Sequence, residues 1–351
     1  PSVSATPSFR LYSDSVQPNN ADLGTYTLNV DWQTPVGDVT SITNFTNFSA
    51  YNIQDVDALP EFLMNAGRNI ESDQRSQELR LPTHPTESTS LLAGLFYMDT
   101  HSDIDTISML PTLAPGIITS QRVITDQRSL ALFAQGYWNV TDAIRLGGGF
   151  RITNVSTELA SINPTNFNPV LSPVNYSENL ANSTLISEWV AKGKHSWTEP
   201  SGKVSVDYKI DEGVMLYGYY ARGFKSGGFN GRITDPRDIG PYNPEYISTF
   251  EIGMRSDWFG NRLRANVSLF HNKWDDMQVP QSVFRGSVAS STILNAASAT
   301  TKGIEVELDA MPTDELLVSA SLGYLSAAYD NFTDSGVDYS GRATPYAPQW
   351  T

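Results

Sequence analysis

The feature that most constrains this chain is a hydrophobic period of two. In KVSVDYKI, Val204, Val206, Tyr208 and Ile210 fall on one side and Lys203, Ser205, Asp207 and Lys209 on the other. The same alternation sets Leu263, Ala265, Val267 and Leu269 against Arg262, Arg264, Asn266 and Ser268. It returns in Ile304, Val306, Leu308 and Ala310 against Glu305, Glu307 and Asp309. Tyr26, Leu28, Val30 and Trp32 oppose Thr25, Thr27, Asn29 and Asp31, and Phe250, Ile252 and Met254 oppose Glu251, Arg255 and Asp257. Successive side chains of a β-strand point to opposite sides of a sheet, so each stretch predicts a strand with one apolar and one polar face. A single such strand is ordinary. About a dozen, most of roughly ten residues or more, exceed the five or six typical of globular strands and match the 9–11 residues of a tilted strand that crosses a bilayer.

The connections add topology. Tight turns are predicted at TPVGD (34–38), THPTE (83–87), NVTD (139–142), IDEG (210–213), WFGN (258–261) and MPTDE (311–315). Longer polar segments separate them, at 51–71, 100–126, 157–197, 225–244, 281–292 and 330–343. Short and long connections therefore alternate, as in an outer-membrane barrel with short periplasmic turns and long extracellular loops. A soluble β-sandwich or propeller is the competing architecture. Propeller blades would repeat at near-constant length with a recurring signature, and here the turns are unevenly spaced. Trp32, Tyr97, Trp138, Trp258 and Trp274 near strand ends suit the aromatic girdles of a membrane wall.

Composition narrows the function classes. The net charge of −15 opposes a nucleic-acid partner, which would select a basic surface. With no Cys, thiol catalysis, disulfides and thiolate metal sites are excluded together. The start, PSVSATPSFR, has neither an initiator Met nor the basic and apolar regions of a signal sequence, and reads as a processed end or an internal piece.

Several segments, in order, resemble the barrel of TonB-dependent outer-membrane receptors. They are SQELRL (76–81) with LLAGLFYMDT (91–100), ALFAQGYWNVTDAIRLGGGFRIT (131–153) and SGKVSVDYKIDEGVMLYGYYARGFKSGGFNG (201–231). YNPEYISTFEIGMRSDWFGNRLRANVSLFHNKWDDMQV (242–279) and NAASATTKGIEVELDAMPTDELLVSASLGYLSAAY (295–329) complete the match. The resemblance implies an all-β fold, a transmembrane antiparallel up-and-down barrel of about twenty-two strands filled by a plug domain. It further implies a bacterial outer-membrane location, and uptake of a scarce ligand energised by the TonB complex acting through the plug. A ferric siderophore is the default ligand, and no catalytic residue, cofactor or resident metal is implied. Nothing in residues 1–351 resembles the plug, so the chain reads as one barrel segment of roughly twelve strands. GRATPYAPQWT at its end reads as a periplasmic turn leading into another strand. A passive porin and a barrel enzyme are the alternatives.

Candidate site residues follow from parity and charge. Arg222 is costly on lipid at depth, so Arg222 and Tyr220 are expected in the lumen and Tyr217 and Tyr219 on the lipid side. Lys225, Asn230 and Arg232 would then line the outer rim and meet an anionic ligand. The competing reading makes them solvated charges beside a bend or bulge at Gly223, Gly227 and Gly228. GFKSGGFN is not a phosphate loop, because Lys225 and Ser226 precede the glycine pair instead of following it. Glu78, Arg80, Arg145, Arg151, Glu251 and Arg255 are expected in the lumen facing the plug. In DTHSDID, Asp99, His101, Asp103 and Asp105 alternate, but Ile104 stands where a calcium loop needs Gly, and metal is not assigned there.

Overall fold

The computed structural model describes residues 19–35, 37–56, 64–109, 116–168, 179, 181–285 and 288–351. Their strands form one antiparallel sheet of thirteen, each strand paired with its neighbours in sequence. The strands are β1 (Asn19–Thr34), β2 (Gly37–Asp55), β3 (Asn65–Thr86), β4 (Thr89–Met109), β5 (Ile117–Asn139) and β6 (Ile144–Phe167). They continue as β7 (Thr184–Lys209), β8 (Val214–Lys225), β9 (Glu245–Trp258), β10 (Leu263–Arg285), β11 (Val288–Thr313), β12 (Leu316–Asp334) and the two-residue β13 (Val337–Asp338). This is an up-and-down meander, and its short joins fall at the tight turns read from sequence.

At the opposite end the strands are longer than predicted. β3 begins at Asn65, β4 reaches Met109, β6 reaches Phe167 and β7 begins at Thr184, all inside segments read as loops. Above a membrane both faces of a strand meet water, so alternation fades while backbone pairing continues. Positions 57–63, 110–115, 169–178 and 286–287 of those predicted loops, and the start PSVSATPSFR, lie outside the described residues. The segment between β8 and β9 does leave the sheet, as expected.

Register separates two faces. Across β7 to β12 one rung holds Tyr208, Leu216, Met254, Val267, Val306 and Leu322. The next holds Val206, Gly218, Ile252, Leu269, Ile304 and Tyr324. On the other face a single rung reads Arg145, Asp207, Tyr217, Gly253, Ser268 and Glu305. Val204 and Leu132 are each 60% exposed and Phe150 57%. A contiguous apolar face shown outward across a whole sheet belongs against lipid, and the polar face lines a lumen. Trp32, Trp138 and Trp258 lie exposed beside short turns, as a girdle requires. Trp274 departs from that expectation: it pairs with Ile247 and Ala299 on the polar face.

The end of the chain also departs from expectation. Residues 342–351 are no periplasmic turn but run back along the free edge of β12. Tyr329 N donates to Arg342 O (3.0 Å), Leu325 N to Gln349 O (2.9 Å) and Thr351 N to Gly323 O (3.1 Å). Pro345 and Pro348 lack the N–H of a continuous ladder, which hides this strand-like course from a periodicity reading.

Candidate functional site: the polar face and its crossbar

On the polar face, charges and aromatic rings are interleaved. The guanidinium of Arg151 lies over the rings of Phe96 (5.1 Å) and Phe133 (5.5 Å), and its Nε donates to Thr153 Oγ1 at 3.0 Å. Arg145 pairs with Asp207 at 2.7 Å and covers Tyr137. Arg80 pairs with Glu78 two residues away on the same face. The hydroxyls of Tyr217 and Tyr219 both donate to Glu251, each at 2.9 Å. Lys203 Nζ sits 4.0 Å from the Tyr219 ring and Arg255 stands over Tyr217. Tyr217 lies across the neighbouring strand at Gly253, where a Cβ would come within 2.5 Å of the ring. Below this belt a lumen-side pocket of about 660 Å³ collects Arg255, Asp257, Arg264, Glu305 and Glu307.

All six residues expected to face the lumen, Glu78, Arg80, Arg145, Arg151, Glu251 and Arg255, are on this face. The tyrosines are the correction. Tyr217 and Tyr219 are on the polar face, whereas Tyr220 opposes Val204 and Phe250 and Arg222 opposes Gly202 and Ser248 on the apolar one. The expected inward position of Arg222 rests on the cost of an arginine at the bilayer midplane. Yet Arg222 is the ninth residue of β8, about 19 Å above its start for a strand tilted by ~45°. Near the interface that cost falls to about 0–1 kcal/mol, and a long side chain reaches the polar layer.

After Lys225 the chain crosses the polar face. Ser226 O accepts from Gln278 Nε2 of β10 (2.8 Å), Gly231 O from Ser161 Oγ of β6 (2.8 Å), and Ile233 O from Gln121 Nε2 of β5 (2.8 Å). Phe229 buries its ring among Val123, Leu159 and Trp197, with Ile239 packed alongside. Asn230 fills the edge of β11 where β12 no longer pairs. Its Oδ1 accepts from Ile293 N (2.7 Å) and its Nδ2 donates to Ile293 O (3.3 Å), imitating one residue of a strand. The segment is thus a crossbar tied to strands on both sides of β8 and β9. Gly227 and Gly228 are needed for close approach, since a Cβ would sit 2.4 Å from Tyr242 O and 2.5 Å from Tyr242 Oη. Gly223 is an ordinary strand residue of β8.

The remaining rim candidates separate accordingly. Asn230 is 7% exposed and its amide is committed to the fold. Lys225 Nζ lies 3.8 Å from Glu245, itself fixed by Gln278 N at 2.7 Å. Arg232 is exposed and, among the described residues, has no ion-pair partner. It lines a pocket of about 680 Å³ with Thr106, Gln121, Asn163, Trp189 and Ser291, and no carboxylate among the described residues contributes to that lining. Trp189 and Gln121 were not foreseen, because β5 and β7 meet the crossbar only through tertiary packing.

DTHSDID lies on the outward face of β4. Its alternate residues are roughly 7 Å apart along a strand, too far for joint chelation. Each side chain has its own neighbour: Asp99 holds Arg128 (3.0 Å), His101 holds Asp126 (2.8 Å), Asp103 holds Arg122 (2.5 Å) and Asp105 accepts from Ser120 (3.2 Å).

The TonB dependent receptor-like β-barrel family matches residues 2–351. The pesticin receptor of Yersinia enterocolitica is 24% identical over 281 residues, covering 79% of this chain and 37% of that protein. The ferric yersiniabactin uptake receptor FyuA from Yersinia pestis superimposes with a TM-score of 0.75 at 18% identity, over 95% of this chain and 47% of its own. The ferric citrate transporter FecA gives 0.64 at 14% identity, over 95% and 46%. The chain therefore spans less than half the length of these relatives.

Proposed function

Because the chain belongs to the TonB dependent receptor-like β-barrel family, whose members are outer-membrane barrels, we propose that it is the wall of a receptor that captures a scarce anionic chelate at its outer mouth and imports it. A ferric siderophore is the first ligand class to test. The observation that carries this reading is the Arg232 pocket. In a chain of net charge −15, it offers, among the described residues, a guanidinium without an ion-pair partner, an indole, and neutral hydroxyls and amides with no carboxylate in the lining. Such a lining favours a polar, negatively charged ligand and repels none by like charge. The relatives named for ferric yersiniabactin and ferric citrate support the ligand class.

In this reading Glu78, Arg80, Arg145, Arg151, Glu251 and Arg255 face a plug. Contact with the TonB complex would pass through that plug. A packed plug gives the interleaved rings and charges a second set of partners, and no step needs bond chemistry. The full-length receptor, titrated with a panel of ferric chelates while Trp189 fluorescence is followed, tests the reading. Saturable quenching by an anionic chelate, weakened about tenfold or more in Arg232→Gln, is the expected result. Equal affinity in the variant, or no response to any ferric chelate, would count against it.

A further inference from the structure

Above the aliphatic rungs, the apolar face changes character in one sector. The next rung is Val204, Tyr220, Phe250, His271, Lys302 and Ser326. The one above is Gly202, Arg222, Ser248, Lys273, Thr300 and Ala328. Basic side chains therefore come first above the hydrocarbon band on β8, β10 and β11. Carboxylates follow higher: Asp275 beside Tyr246 and 3.3 Å from Lys273 Nζ, and Asp330, which accepts from Thr300 at 2.7 Å. Glu199 is engaged with the Tyr246 hydroxyl. Lys302 and Arg222 are exposed, and Arg222 rests on the Tyr246 ring at 4.8 Å. Ser248 alone separates Arg222 from Lys273 along their rung, so the two cations stand about 10 Å apart at two strand spacings.

The sector β3–β5 is built differently. There Asp99 enters in the same rung as Arg128 and pairs with it at once, and Arg122, whose own rung holds Asp105, pairs diagonally with Asp103 on the same strand. Those guanidiniums are neutralised by the protein. On β8–β11, among the described residues, the lowest cations, Arg222 and Lys302, have no carboxylate in their own rungs, and Lys273 meets its carboxylate, Asp275, only from the rung above.

We propose that Arg222, Lys273 and Lys302 bind phosphate-bearing head groups of outer-leaflet lipid, fixing lipid to this sector of the outer wall. Phosphates occupy the layer immediately above the hydrocarbon, where these three groups lie in two successive rungs, and a guanidinium or ammonium is their natural partner. Tyr220 and Phe250, one rung below Arg222 and Lys273, form the aromatic floor of this layer. This site is on the opposite face from the Arg232 pocket and does not depend on the ligand reading.

Native mass spectrometry of the full-length receptor, loaded with a bisphosphorylated glycolipid or its dephosphorylated form, tests the assignment. The expected result is preferential retention of the phosphorylated lipid, reduced on the order of tenfold in Arg222→Gln/Lys273→Gln/Lys302→Gln. The charge-keeping variant Arg222→Lys/Lys273→Arg/Lys302→Arg retains it. Should the glutamine variant fail to fold, as judged by heat-dependent gel mobility, Lys302→Gln alone is compared with Arg128→Gln, and only the former loses lipid. Equal retention of both lipids, unchanged retention in the variants, or displacement by millimolar inorganic phosphate would overturn the proposal.

Discussion

The wall of β6–β11 and the crossbar at 226–244 share one face of the sheet and are held in different ways. In the wall, each residue's environment follows from its parity. Leu269 meets lipid and Ser268 the lumen because one backbone step reverses the side chain. In the crossbar, Phe229 and Asn230 are fixed by partners on β5, β6, β7 and β11, far away in sequence. A wall held by period and register tolerates change on its polar face, whereas a segment held by a few distant contacts fails when one of them is removed.

The largest effect that would break this contrast lies in the wall. Leu269→Arg, near the bilayer midplane, is expected to cost about 2–4 kcal/mol, while Ser268→Arg costs about 0.5 kcal/mol or less. Urea unfolding in lipid vesicles, read by the folded gel band, separates the two. Equal losses would mean that the faces are not distinct. Next comes Phe229→Ala. It is expected to loosen the crossbar by about 3 kcal/mol while the barrel's unfolding midpoint stays in place. Limited proteolysis within 226–244, beside the midpoint of the whole barrel, sharpens the comparison.

The smallest effect concerns pH. Burial holds the Tyr242 phenol above its ordinary value of 10.0. Below that value the phenol is neutral whether the crossbar is docked or released, so stability does not vary. Above it the released segment ionises first, so docking weakens as pH rises from about 10 toward the higher docked value. Fluorescence of Trp197, which packs on Phe229, is expected to report release in that window in the parent protein and none in Tyr242→Phe.

These contrasts also explain what the sequence made legible. Turns such as WFGN and IDEG, and the alternation of Val204, Val206 and Tyr208, were readable because local chemistry decides them. Polar strand ends such as Asn65–Ile70 and Thr184–Trp189 were not, because water on both faces removes the period while backbone pairing continues. Arg222 is on the apolar face for a related reason: charge type alone does not set the face, because the cost depends on depth, and depth is set by how far a residue lies from its turn. The Glu251 site illustrates the remainder: Tyr217 and Tyr219 become its donors only once β8 is aligned with β9. Nothing in ARGFKSGGFNGR announces that Asn230 completes the edge of β11, sixty-three residues away.

Two adjacent tyrosines on β8, Tyr219 and Tyr220, face opposite sides of the wall. A spin label at position 219 or 220, introduced as Tyr219→Cys or Tyr220→Cys in full-length receptor without other cysteines, tests it in lipid bilayers. The label at 220 is expected to collide freely with dissolved oxygen and little with a water-soluble nickel chelate, while the label at 219 shows no such lipid signature. The reverse pattern, with 219 in lipid and 220 shielded from it, would mean that the two faces of β8 are the other way round.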